Sequence, residues 1–228
     1  MIGGKVEHQE IFESSEVFQH LPTKVFRGLM AAGRIERYDH RTLLSARGER
    51  LEHLRYVIEG HIDVSLSTAS GKSTGIPIFP GSWATWAGCF SEHRLSFELW
   101  SSKSAVLFAI PRHLLRSEVT RYPDALLKVI EHISEVNRFL IGWALGATLQ
   151  SPERRLAYML AVLSRRTSRI AGSRQASITQ EQIGGLGFGS RQRVARLLQS
   201  LEQRGLVETS YGSVFVPSWE GLNAFALA

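Results

Sequence analysis

The chain of 228 residues contains one cysteine, Cys89. Within a single chain that excludes a disulfide, and it excludes a zinc or iron–sulfur site built on several thiolates. No apolar run approaches the ~20 residues of a membrane span. The opening MIGGKVEHQEIF lacks the apolar core of a secretion signal, so a cytoplasmic location and no membrane partner are expected. No internal repeat or low-complexity tract is present. Lysine is missing altogether from residue 151 onward. There, ten arginines face five glutamates, so the last third carries five of the six net positive charges. Arginine in place of lysine suits bidentate recognition, and the uneven charge fits a footprint for phosphate.

The most informative stretch is ITQEQIGGLGFGSRQRVARLLQSLEQRGLV, residues 178–207. Thr179 can N-cap a short helix, with Gln182 completing a capping box. Ile183 and Leu186 give that helix its apolar face. Gly184, Gly185, Gly187 and Gly189 then crowd a turn. Ser190 is the next N-cap, and Val194, Leu197, Leu198 and Leu201 recur as one buried helical face. Gly205 sits where a glycine ends a helix. Arg191, Gln192, Arg193 and Arg196 fall on or beside the opposite face, in the turns that a helix-turn-helix inserts into the major groove. Arginine can grip guanine and glutamine adenine with two hydrogen bonds each. A surface helix made soluble by arginines is the plain alternative. The next eleven residues weigh against it: residues 206–209, a turn at Tyr211-Gly212-Ser213, then residues 214–216 read as a hairpin. A hairpin directly after a recognition helix is a wing.

Length allows two domains at ~100–200 residues each, and 43% hydrophobic residues can fill both cores. Phe18, Leu21, Val25 and Leu29 mark short helices around Pro22. Strand candidates follow at residues 35–38, 42–44, 54–58, 61–66, 75–79, 95–100 and 105–110. Their spacing suggests a sandwich or barrel. From residue 111 to 149 the period becomes helical. Leu126, Val129, Ile133, Val136, Leu140 and Trp143 recur at three- and four-residue steps, a seam that predicts dimerisation through a partner helix. A helix packed on its own domain would look similar. Ser151-Pro152 then resets the chain, serine as N-cap and proline at the first helical position. Leu156, Met159, Leu160 and Leu163 give the next helix its core face, and the polar residues 167–177 read as a surface loop.

This order resembles the CRP/FNR family of bacterial transcription regulators over nearly the whole chain. The match is carried by Tyr56-Val57-Ile58-Glu59-Gly60-His61-Ile62-Asp63-Val64, by Gly81 at the start of a ligand cassette, and by residues 178–207. The resemblance implies an α+β chain. Its parts would be an N-terminal β-roll of the jelly-roll type (residues 1–120), a long dimerisation helix (121–150) and a C-terminal winged helix-turn-helix (151–228). It implies a homodimer on a palindromic operator in double-stranded DNA, with RNA polymerase as a further partner if the protein activates. Ser190-Arg191-Gln192-Arg193-Val194-Ala195-Arg196 looks like the family's Ser-Arg-Glu-Thr-Val-x-Arg recognition helix. Arg191 and Arg196 match. Gln192 replaces a glutamate that would accept from cytosine, and Arg193 replaces a threonine, so a shifted operator preference is expected.

The effector region departs from the family. Thr85-Trp86-Ala87 stands where cyclic-nucleotide binders carry Gly-Glu-Leu, and the phosphate-clasping arginine falls near Ser96, with Arg94 beside it. A cyclic phosphate without its arginine is poorly compensated in a desolvated pocket, which argues against cyclic AMP. Trp83, Thr85, Trp86, Arg94 and Ser96 mark a candidate effector pocket. Trp83, Trp86, Phe90, Phe97 and Trp100 either line it for an apolar or aromatic ligand or fill it themselves; filling is the expectation. Cys89 and His93 do not make a metal site, and neither metal nor cofactor is expected. An enzyme is the contrasting class. Asp39-His40 and Glu92-His93 could pose as acid/base pairs, but no nucleophile, metal cluster or phosphate loop stands beside them. A nucleotide-binding module without DNA binding would leave the C-terminal arginines unexplained.

Overall fold

Among the described residues of the first half of the chain, two short helices lead into eight antiparallel strands. The computed structural model describes residues 11, 15–67, 73–171, 174–176, 178–210 and 212–228. Two compact units divide it, Met1–Glu135 and Val136–Ala228. The wing-tip Tyr211 lies outside the described residues.

In the first unit, helices α1 (Glu16–Gln19) and α2 (Thr23–Ala32) precede strands β1 (Arg34–Tyr38) to β5, with Pro22 between the helices. Ser15 caps α1 by accepting from the Val17 amide at 3.3 Å. The strands β2 (Thr42–Ser45), β3 (His53–Glu59), β4 (Ile62–Ser67) and β5 (Ser73–Ile78) fall close to the apolar alternation of the sequence. So do β7 (Glu98–Ser101) and β8 (Ala105–Pro111). They form two four-stranded sheets, in orders β1-β8-β3-β6 and β2-β7-β4-β5. That is a jelly-roll β-roll. Leu54, Tyr56, Val57, Leu107, Ile110, Ile62 and Leu99 fill its core. Two elements carry no pattern in the sequence: β6 (Trp83–Ala84) and helix α3 (Trp86–Phe90). Both are too short for a period to show.

The helical region after β8 is two helices, α4 (Arg112–Val119) and α5 (Pro123–Leu149). Proline tolerates a first-turn position but disfavours helix in the residue before it, so the chain restarts at Pro123. Helix α5 runs from one unit into the next. In the second unit, α6 (Pro152–Ala171) starts after Ser151, whose Oγ accepts from the Arg154 amide at 3.4 Å. The described part of residues 167–177 departs from the expected surface loop. Helix α6 continues to Ala171, and Gln175–Ala176 forms strand β9. Helices α7 (Gln180–Ile183) and α8 (Arg191–Gln203) flank the glycine-rich turn. Strands β10 (Glu208–Ser210) and β11 (Ser213–Phe215) form the wing, and α9 (Trp219–Leu227) closes the chain. Strand β9 extends the wing into a three-stranded sheet, β10-β11-β9. Trp219 Nε1 donates to the Ala161 carbonyl at 2.8 Å, tying α9 to α6.

Candidate nucleic-acid interface

The capping box forms as its residue types dictate. Thr179 Oγ1 accepts from the Gln182 amide, and the Gln182 side chain accepts from the Thr179 amide at 2.9 Å. The turn after it needs glycine at two places. Gly187 takes a left-handed φ of 88°, which costs other residues ~1–2 kcal/mol. A Cβ on Gly184 would stand 2.6 Å from the Gly189 carbonyl oxygen, a backbone atom that cannot give way cheaply. Ser190 then caps α8, accepting from the Arg193 amide at 3.3 Å. At the far end Gly205 N donates to Glu202 O and Leu206 N to Leu201 O, closing the last turn.

Helix α8 is split by chemistry. Val194, Leu197, Leu198 and Leu201 are buried, while Arg191, Gln192, Arg193 and Arg196 are exposed. Among the described residues no carboxylate pairs with any of these three arginines. Their donors therefore face solvent. A groove of about 280 Å³ lies between α7, Arg191 and the wing, lined in part by Thr179, Thr209, Ser210 and Ser213. Thr179 was expected at the interface from the sequence; the wing hydroxyls of Thr209, Ser210 and Ser213 are a contribution that the sequence pattern did not supply. The wing is pinned by Glu202, whose Oε1 accepts from the Thr209 amide at 2.7 Å and its hydroxyl at 2.5 Å.

Phe188, at the end of the turn, is held from behind. Trp143 of α5 meets it edge to face at 5.6 Å, and the Arg155 guanidinium lies over both rings, 5.0 Å and 5.3 Å from their centroids. Phe139 stacks on Tyr158 at 5.7 Å. Trp143, read as a dimer-seam residue, is thus a support for the helix-turn-helix turn. Other members of that seam are also spent inward. Val129 is buried in the β-roll core, and Leu126 and Ile133 pack against it. Val136 is half-buried. The face left open is displaced by one residue. Leu127 and Ile130 are more than half exposed in the first unit, and Leu140, Ile141, Leu145 and Leu149 are exposed in the second. An apolar stripe wide enough for two contacts hides which contact each row makes.

The five residues read as an effector pocket do not converge. Trp83 and Trp86 are buried in the core, packed on each other at 5.9 Å and on Phe18 at 5.1 Å and 5.8 Å; Trp83 also meets Tyr56 at 5.1 Å. Arg94 and Ser96 are exposed, with Arg94 donating to the Gly48 carbonyl at 2.8 Å. Thr85 holds φ 67°, ψ 43°. A β-branched residue is strained there. Thr85→Gly should raise stability by ~1 kcal/mol, measured as a higher midpoint in urea. An unchanged or lower midpoint would show that the Thr85 hydroxyl, which donates to Ala84 O at 2.6 Å, offsets the strain.

Two further features of the β-roll have no sequence signature. The Glu36 carboxylate and Arg55 guanidinium form a 2.8 Å pair with side chains only 9% and 7% exposed. Tyr38 and Arg34 also donate to Glu36, at 3.0 Å and 2.8 Å. Burial alone would raise the pKa of Glu36, but the Arg55 hydrogen bond and charge hold it below the ordinary glutamate range. Cys89 is fully buried and its thiol is pushed up to about 12, chiefly by burial, against the pull of Arg112 and Arg55. It stays protonated near neutrality, as an inert core thiol does. Among the described residues no three His, Cys, Asp or Glu side chains gather as metal ligands, and no helix is long and apolar enough to cross a membrane.

Residues 154–225 match the Crp-like helix-turn-helix domain. No curated protein matches the chain by sequence. Among solved structures, FixK2 of Bradyrhizobium japonicum is similar at a TM-score of 0.68, with 15% identity over 85% of this chain and 96% of its own. A mutant form of CooA from Carboxydothermus hydrogenoformans gives 0.66 and 16%, covering 98% of this chain and 97% of its own. CLP of Xanthomonas campestris, described as a c-di-GMP-responsive global regulator, gives 0.60 and 18%, covering 86% of this chain and 100% of its own. The matched segment is of a DNA-binding class, and the fold of the chain is that of the regulators named. More particularly, the C-terminal unit is a Crp-like helix-turn-helix domain, and the chain has the CRP/FNR regulator fold.

Proposed function

We propose that the protein acts in the cytoplasm as a homodimer on a palindromic DNA operator, with a β-roll that does not take cyclic AMP. The observation that carries this reading is the open face of α8. Arg191, Gln192, Arg193 and Arg196 are exposed together beside the wing hydroxyls. Arg191 and Gln192 read base edges, and Arg193, Arg196, Thr179 and Ser190 meet the backbone and fix the register. The β-roll through residue 120 biases α5 (with the preceding turn, residues 121–150), and residues 151–228 read the operator. Two copies pair along the open face of α5, placing two recognition helices one turn of duplex apart. RNA polymerase is a further partner if the protein activates.

The test is fluorescence anisotropy on an operator selected from random duplexes, at two salt concentrations. Affinity should fall steeply with salt, and unrelated duplex should bind ~10³-fold or more weakly. Equal affinity for operator and unrelated duplex would end the reading. Arg191→Ala should cost ~1–3 kcal/mol and relax the preference at one base pair. A loss uniform over all sequences would make Arg191 a phosphate contact instead.

A further inference from the structure

Three arginines of the first unit converge on one carboxylate. Glu92 Oε2 accepts from Arg50 Nη1 at 3.2 Å, and Oε1 accepts from Arg112 Nη2 at 3.2 Å and from Arg116 Nη1. Arg112 and Arg116 stand one helical turn apart on α4, so their side chains share a face. Arg112 is the fixed member. Its side chain is 15% exposed, its Nε donates to the Cys89 carbonyl at 3.0 Å, and Nη2 donates to the Ser91 carbonyl at 2.6 Å. The carboxylate is the loose member. Glu92 is 56% exposed and lies in the segment just after α3.

The charges do not balance: three guanidiniums share one negative charge, leaving a surplus of two. An exposed ion pair is worth only ~0–1 kcal/mol, so exchanging Glu92 for another anion costs little. A phosphoryl group brings up to two negative charges and three terminal oxygens, one for each guanidinium, and arginine forks match that geometry. We propose that Arg50, Arg112 and Arg116 form a binding site for the phosphoryl group of a small phosphorylated molecule, with Glu92 as its displaceable placeholder. None of its three arginines belongs to the residues read as an effector pocket, although Arg94 of that set donates to the Gly48 carbonyl, two residues before Arg50. It reports to α5 through α3. Arg112 holds the carbonyls of Cys89 and Ser91 at the end of α3, and Trp86 at its start meets His132 of α5 edge to face at 6.3 Å. The proposal does not depend on the DNA-binding reading, because its test contains no DNA.

The experiment is calorimetric titration of the full chain with sodium pyrophosphate at constant ionic strength, with inorganic phosphate and an adenine nucleotide as further arms. Saturable binding at one site per chain is expected. A stronger response to the nucleotide than to the inorganic ions would place the rest of the ligand against the protein. Arg116→Gln should weaken binding at least tenfold. Glu92→Gln should tighten it several-fold, since the competing carboxylate is gone while the arginines remain. That second variant changes an exposed side chain, so its fold is not at risk. Arg191→Ala should leave pyrophosphate affinity unchanged. The proposal is overturned by no saturable heat at millimolar anion. It is also overturned by binding that Arg191→Ala removes, or by a Glu92→Gln variant that binds no more tightly than the parent.

Discussion

Glu36→Gln should lower the stability of the protein by ~3 kcal/mol, the low end of the range for breaking a buried ion pair. The reason lies in the charge left behind. Arg55 would keep a full charge at 7% side-chain exposure with no counter-charge of comparable burial. Its Nη1 is already buried without a partner among the described residues, so no slack exists to absorb the loss. The low end applies because Glu36 also has a solvent-side neighbour, Arg34, whose side chain is 58% exposed. Replacing both partners with apolar residues, Glu36→Leu with Arg55→Met, should recover most of the loss, because the cost of desolvating two charges goes with them. Urea unfolding of the single and double variants checks this. A double variant no more stable than the single would mean that the loss comes from packing rather than from a stranded charge. The pair also has a pH signature. Glu36 titrates below the ordinary glutamate range in the folded chain. Its contribution is complete above that range and disappears as pH falls through the depressed folded value. The parent should therefore lose stability more steeply than Glu36→Gln on the acid side, and in parallel with it near neutrality.

The DNA-reading unit was the most legible part of the chain because its signals are local. Thr179, Gln182, Ser190 and Gly205 each act within four residues, and the structure realises all four. The strands of the β-roll were legible for the same reason, through their two-residue alternation. The Glu36–Arg55 pair was not. It joins positions nineteen residues apart across β1 and β3, which are not neighbours but are separated by β8. The Glu92 cluster likewise draws on Arg50, Arg112 and Arg116, and no spacing rule connects those positions. The long helix is the instructive failure. Its apolar period was plain, but apolarity names a face to be covered and not the surface that covers it. Leu126, Val129 and Ile133 went to the β-roll core, and Trp143 to Phe188.

That displaced face carries the other large effect. The open row of α5 runs Leu127, Ile130, Ser134, Asn137, Ile141, Ala144 and Thr148 at alternating steps of three and four, the spacing of a coiled-coil seam with polar positions in its middle and at its end, one residue out of phase with the buried row. Leu145 and Leu149 widen it at its end, at 59% and 83% exposure. In the proposed dimer, glutamates at Ile141 and Leu145 would set four carboxylates against one another across its two-fold axis. They would cost little within one chain, since Ile141 is itself 51% exposed. The double variant should therefore keep the parent's helical signal and unfolding midpoint. It should sediment as a monomer at micromolar concentration. Its affinity for a full palindromic operator should fall ~10²–10⁴-fold, because the second half-site loses the high local concentration that a linked partner supplies. Affinity for an isolated half-site should barely change, since Arg191 and Arg196 are untouched. A variant that remains dimeric would move the interface off this face of α5. One that is monomeric yet binds the palindrome as tightly as the parent would show that the two half-sites are read independently.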